Sequence, residues 1–305
     1  MSPNLRQIAF FAPAAFALRF ESVQFSYETT GLLGEGVSGK VYRASVQPRE
    51  HSSGEKREAA LKCTKKDGKS EDIDLNGQLA YMRQLESGGA WWSVRGYDVF
   101  EVTSADASQK PVNCLSMEIL GDSLRQIRES RNEPITLTSL ASIGIQMIDI
   151  LDDMHNRFKL YHSDVHAGNW VFRADNRLVQ IDYGYMQRLE STNRASELEE
   201  MVIALRWLID MDNSYYAPKH IPSHKTIDDI CPPGVVPKPL RDIIEYTYKF
   251  NESSGENIYS TIRQKFENIL KEESYTDLQR NNVSAKSSAL IYIHLVSSLV
   301  IIFLF

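Results

Sequence analysis

The segment His162-Ser163-Asp164-Val165-His166-Ala167-Gly168-Asn169 decides how the rest of this chain is read. It gathers two histidines, an aspartate and an asparagine into eight residues. Taken alone, Asp and Asn are most often turn formers, because their short side chains bond their own backbone. Three further elements stand around the segment in a fixed order. Gly34-Glu35-Gly36-Val37-Ser38-Gly39-Lys40-Val41 lies upstream, and Ala60-Leu61-Lys62 places its lysine twenty-one residues after Val41. Downstream, Ile181-Asp182-Tyr183-Gly184 places its aspartate thirteen residues after Asn169. Four such elements in one order and spacing outweigh the turn reading.

The upstream element fits G-x-G-x-x-G-x-V through Gly34, Gly36, Gly39 and Val41. Glycines let a backbone approach phosphate closely and aim its amides at anionic oxygens. A Walker A loop would need Ser or Thr after the lysine, where Val41 stands. A dinucleotide loop would open a helix, whereas Val41-Tyr42-Arg43 reads as a strand. A plain glycine-rich hairpin remains the competing reading of this element by itself.

Around these motifs the chain reads as strands first and helices after. Phe20 to Tyr27 alternates as a first strand, Gly31 to Tyr42 is a glycine loop between two strands, and Gln47 to Glu58 is a polar connection. Ala59 to Cys63 and Val112 to Leu120 are short strands, and Asp74 to Leu85 has helical spacing. From Leu137 to His155, Leu140, Ile143, Met147, Ile150, Leu151 and Met154 recur at three and four, the mark of a long buried helix. Beyond Glu197 the pattern is mostly helical. This order predicts an α+β fold with a small β-rich lobe followed by a larger helical one.

The four motifs together resemble the protein kinase superfamily. The hinge-like Met117-Glu118-Ile119-Leu120-Gly121-Asp122-Ser123-Leu124 is similar to that of the casein kinase 1 group. The helix Ile143 to His155, Ala167 in the central segment, and Tyr259 to Leu270 look most like the vaccinia-related kinases of that group. The likeness runs from about Phe25 to Leu270. It implies a bilobal kinase-like domain at 22–275, with an N-lobe over about 22–119 and a C-lobe over about 120–275. Residues 1–21 would be an extension, 276–288 a linker and 289–305 a transmembrane tail. It also implies ATP and Mg2+ as cofactors. Gly34, Gly36, Gly39, Val41, Lys62 and Glu118 would bind the nucleotide, Lys62 through its α and β phosphates. Asn169 and Asp182 would hold magnesium, and Asp164 would accept or orient the proton of an acceptor hydroxyl. With Lys62 and Asp164, His166 completes the expected catalytic set.

Several positions depart from that pattern. Only Tyr185 to Asn193 separate Gly184 from the next helix, where the family has a few dozen residues for an activation loop and peptide docking. The arginine before the catalytic aspartate is Ser163, which argues against control by an activation-loop phosphate. A lysine facing the γ-phosphate is replaced by His166, and D-x-H-x-G-N also occurs in kinases of small molecules. The helix glutamate expected to pair with Lys62 falls on Gln78, with Glu71 and Asp74 as weaker candidates. Glu197 stands where the family has an aspartate bracing the catalytic loop.

Composition narrows the context. A net charge of -6 over 305 residues gives no basic surface for nucleic acid. Cys63, Cys114 and Cys231 have neither metal spacing nor the density of a disulfide framework, which predicts unpaired thiols and a cytosolic domain. Ile8 to Leu18 is short and apolar, either a targeting segment or a packed extension. Ala289 to Phe305 carries no charge, and its seventeen residues reach the lower limit for a bilayer span. It reads as a tail anchor to an intracellular membrane, with a helix buried in the fold as its rival.

The expected function is an ATP- and Mg-dependent serine/threonine protein kinase acting on a protein hydroxyl. Two other readings stay open. A pseudokinase would bind nucleotide or partners without transfer, as the short segment and Gln78 suggest, and a small-molecule kinase would suit His166 with Gly168.

Overall fold

The computed structural model describes residues 19–22, 24–36, 39–49, 56–64, 74–102, 112–190, 193–209, 227–231, 234–250 and 256–287. The described chain forms two compact units. One takes in the residues up to Ser130 together with Asp153–Glu197, and the other Arg131–Asp152 together with the residues from Leu198 on.

The first unit is built on a six-stranded antiparallel sheet in the order β1-β2-β3-β4-β6-β5. Its strands are β1 (Arg19–Glu21), β2 (Phe25–Glu35), β3 (Gly39–Pro48), β4 (Arg57–Thr64), β5 (Gly96–Val102) and β6 (Val112–Met117). The stretch read as one strand over Phe20 to Tyr27 is broken by a turn, where Ser22 N–H donates to the Phe25 carbonyl at 2.8 Å. Side chains alternate across β4, so Cys63 and Lys62 face opposite ways. Cys63 joins a core of Tyr27, Ala44, Val46, Leu61 and Phe100, where Tyr27 and Phe100 stack at 4.6 Å.

Cys63 is paired in register with Cys114 on β6, and the two form a disulfide with 4.1 Å between their Cα atoms. This overturns the expectation of three unpaired thiols. Two cysteines 51 residues apart carry no spacing signal, and only the strand register brings them opposite each other.

Helix α1 (Leu75–Ser87) follows β4. Asp74 caps it, accepting the Gly77 N–H at 2.8 Å, and Leu75, Gln78, Leu79, Met82 and Leu85 are buried. Helix α2 (Leu124–Glu129) opens with a capping box between Ser123 and Gln126. The unit continues with β7 (Leu160–Tyr161), the hairpin β8 (Trp170–Phe172) and β9 (Leu178–Gln180), and β10 (Gln187–Arg188), which pairs with β7.

The second unit is helical. Its α3 (Leu137–Asp152) buries Leu140, Ile143, Met147, Ile150 and Leu151, as the periodicity predicts. The helix predicted through His155 instead ends at Asp152, and Asp153–Phe158, which belongs to the first unit, forms a π-turn. Helix α4 is Asn193–Trp207, α5 Ile227–Ile230, α6 Lys238–Lys249 and α7 Ile258–Ser287. Helix α7 packs on α3, where Gly144 lies against the Phe266 ring and Arg263 donates to Asp149 at 2.8 Å. It runs on through most of the stretch expected to be a linker. No helix among the described residues is long and apolar enough to cross a membrane. Both apolar terminal segments, Ile8 to Leu18 and Ala289 to Phe305, lie outside the described residues.

Candidate active site

The sheet register sets up one wall of the site. Val41 on β3 pairs with Lys62 on β4, and Gly34 on β2 pairs with Val41. The bend between β2 and β3 is closed by the Gly36 N–H donating to the Gly39 carbonyl at 2.9 Å. The three glycines differ in what holds them. A side chain on Gly39 would meet the Cys63 carbonyl oxygen at 2.0 Å, so close packing on β4 requires glycine there. Among the described residues, nothing lies within 4 Å of where a side chain on Gly34 or Gly36 would begin, the kind of room a close-lying phosphate needs.

Lys62 is buried, and its ammonium meets two partners. It donates to Asp182 Oδ1 at 2.6 Å and to Gln78 Oε1 at 3.3 Å. Gln78 is therefore the α1 residue that faces Lys62, while Asp74 is spent on capping and Glu71 lies outside the described residues. Gln78 is 1% exposed, and its Nε2 has no partner.

Asn169 and Asp182 flank the open end of the β8–β9 hairpin. The Ile181 N–H donates to the Asn169 carbonyl at 3.0 Å, which holds the two segments together. Asn169 Nδ2 donates to the Asp164 carbonyl at 2.9 Å and to Asp164 Oδ2 at 3.2 Å. The asparagine amide thus orients the aspartate. His166 Nδ1 accepts the Gly168 N–H at 3.0 Å, and its Nε2 lies 3.5 Å from Asp164 Oδ2.

The turn at Asp182 is set by its neighbours. Asp182 adopts φ 66°, a left-handed conformation that Asp tolerates better than most residues. Tyr183 is buried, and its hydroxyl donates to the Gln180 carbonyl at 2.9 Å and accepts the Val94 N–H at 3.3 Å. Burial pushes the Tyr183 hydroxyl well above the usual phenol range. His162 is fully buried beneath this turn and donates Nε2–H to the Ile181 carbonyl at 2.8 Å. Burial lowers its pKa, opposed by the nearby Glu197 carboxylate and that carbonyl. Its Nδ1 has no hydrogen-bond partner among the described residues.

Glu197 supports the segment from below. Its Oε1 accepts the His162 and Ser163 N–H groups at 2.5 and 2.6 Å, and its Oε2 lies 2.6 Å from His155 Nε2. Only Leu189 to Thr192 separate β10 from α4, which carries this carboxylate. The short connection is thus compatible with a braced loop.

Two placements were not expected. The Glu118 carboxylate is taken up by Arg173, through Nε at 2.7 Å and Nη2 at 3.0 Å, and by the Arg95 N–H at 3.3 Å. The Glu118 N–H is used as well, donating to the Arg95 carbonyl at 2.8 Å. Arg173 also donates to the Trp91 and Ser93 carbonyls at 2.8 and 2.7 Å. A single arginine after a short strand reads as a surface residue in sequence, so only the fold reveals this clamp.

The donor set suits a hard divalent cation. An amide oxygen and a carboxylate are the ligands magnesium prefers, with phosphates and water completing its shell. Among the described residues no three His, Cys, Asp or Glu side chains cluster as a metal cage.

Comparison with known proteins agrees with this geometry. A family model described as a protein kinase domain matches residues 27–299. Over 74 residues the chain is 35% identical to a probable casein kinase I homolog of Encephalitozoon cuniculi. That match spans 24% of this chain and 24% of the homolog.

Proposed function

The chain belongs to the protein kinase domain family, and from that premise we propose that it is an ATP- and magnesium-dependent phosphotransferase acting on serine or threonine hydroxyls of proteins. The observation that carries this reading is that the Lys62–Asp182 pair and the Asn169–Asp164 pair are joined through the backbone bond from Ile181 N–H to the Asn169 carbonyl. Gly34 and Gly36 leave room for the phosphates, and Lys62 supplies a buried positive charge beside them. Asn169 and Asp182 would hold magnesium, which when bound neutralises phosphate charge. Asp164, fixed by Asn169, orients the acceptor hydroxyl and takes its proton. Rate then comes from positioning and fixed charge rather than covalent catalysis.

A second reading has one observation in its favour. Lys62 is paired with the magnesium-side carboxylate and faces a neutral amide on α1. A nucleotide-binding protein without transfer would tolerate that arrangement.

Thermal melting with and without Mg-ATP tests the nucleotide site on which both rest. A ligand that binds only the native state raises its apparent stability by mass action. We expect a higher melting temperature at millimolar Mg-ATP. No shift in a folded sample would remove the nucleotide site and the proposed function with it.

A further inference from the structure

Among the described residues Lys62 has one carboxylate within reach, and it is the same carboxylate that magnesium would need. The ammonium and Asp182 Oδ1 are 2.6 Å apart, with the Lys62 side chain 8% exposed and that of Asp182 30% exposed. Gln78 sits on the other side of the ammonium and gives it a carbonyl oxygen without charge. Its amide has no better orientation, because turning it over would set an N–H against an ammonium. Nε2 is therefore left buried and unpaired, facing the turn at Gly184, where an added side chain would come within 3.3 Å of it. A buried donor without a partner is unfavourable, so position 78 pairs with the ammonium through one oxygen only and leaves its other polar atom unsatisfied.

The charge balance follows. With Gln78, the cluster of Lys62, Asp182 and Gln78 sums to zero. With a carboxylate at 78 it would sum to minus one, and the ammonium would keep a charged partner when Asp182 turned to a metal. We propose that Gln78 makes Lys62 and magnesium competitors for the Asp182 carboxylate, so that this chain's nucleotide binding depends less on magnesium than a carboxylate at 78 would make it. The neutral cluster accepts a polyphosphate anion without the metal, because Lys62 already offsets Asp182. The negative cluster repels the anion unless a cation comes with it.

This inference rests on the reading of the site as a nucleotide site, and titration calorimetry separates the two. ATP is titrated into the full chain with millimolar magnesium and again with excess EDTA. For the native sequence we expect chelation to weaken binding by less than about tenfold. For Gln78→Glu the loss on chelation grows by at least about tenfold, from one added charge in a partly buried site. Gln78→Met, neutral and without the hydrogen bond, keeps the native magnesium dependence, which separates charge from packing. Equal magnesium dependence in the native chain and Gln78→Glu overturns the competition. If Gln78→Glu does not fold, a native chain whose affinity falls a hundredfold or more in EDTA overturns it as well. Absence of binding even with magnesium overturns the nucleotide site itself, and this inference with it.

Discussion

Glu197 Oε2 lies 2.6 Å from His155 Nε2, with both side chains buried, while Oε1 of the same carboxylate holds the His162 and Ser163 N–H groups. One side chain on α4 thereby ties a π-turn to the segment that carries Asp164. Removing the acidic member of a buried pair strips its partners of a charged contact in a desolvated place, at a cost of about 3–5 kcal/mol. Glu197→Ala should lower stability by that amount in urea titration. Glu197→Asp, one methylene shorter, cannot reach all three partners and should fall between. A Glu197→Asp chain as stable as the native one would mean that the length of this side chain is not what serves the loop.

The helical unit has its own tight point. A methyl group on Gly144 would lie 2.5–2.7 Å from the Phe266 ring. Gly144→Ala should destabilise the protein by about 1–3 kcal/mol through overpacking. Phe266→Leu should cost less in the Gly144→Ala background than alone, and a double-mutant cycle in denaturant measures that coupling.

Stability should depend on pH through His162. Its folded pKa is lowered by burial, whereas an imidazole in the unfolded chain titrates near ~6.5. Below ~6.5 the unfolded state binds a proton that the folded state resists, so stability falls as pH drops from that value toward the lowered folded pKa. The contribution is fully present above the unfolded value. Urea midpoints at pH 7.5 and 5.5 should therefore differ less in His162→Gln than in the native chain.

The cysteines should divide two to one. Unfolding without reductant should expose a single reactive thiol, Cys231, and reduction should raise the count to the three in the sequence. In the folded protein Cys231 should label slowly, because it is buried and its thiol is pushed up to about 11. Closing a loop across 51 residues is worth about 4 kcal/mol in the chain-entropy account. Reductant should lower stability toward that limit.

What the sequence made legible were elements whose identity and spacing carry chemistry. Lys62, Asp164, Asn169 and Asp182 are recognisable as residue types in order; in the structure Lys62 meets Asp182 and Asn169 meets Asp164. Gln78 follows from matching the family's pattern with a gap, and in the structure it is the α1 residue that meets Lys62. Features that depend on strand register or on a single long side chain were not legible. The Cys63–Cys114 pair needs β4 and β6 in one register, and the Arg173 clamp needs Glu118, Trp91 and Ser93 brought together from distant segments. Strand β5 (Gly96–Val102) was missed because its buried and half-buried residues do not alternate cleanly. The π-turn at His155 continues the spacing of α3, so nothing in the pattern announces where the helix widens.

The most direct measurement of the central claim is phosphoryl transfer from γ-labelled ATP with magnesium to a mixture of proteins, comparing the native chain with Asp164→Asn. Asp164 is held by Asn169 and is not among the groups assigned to the metal or the phosphates. We predict that Asp164→Asn loses transfer by about a hundredfold or more, within the range of a positioned general base, while its Mg-ATP affinity stays near the native value. Labelling by the native chain that persists undiminished in Asp164→Asn would contradict the account.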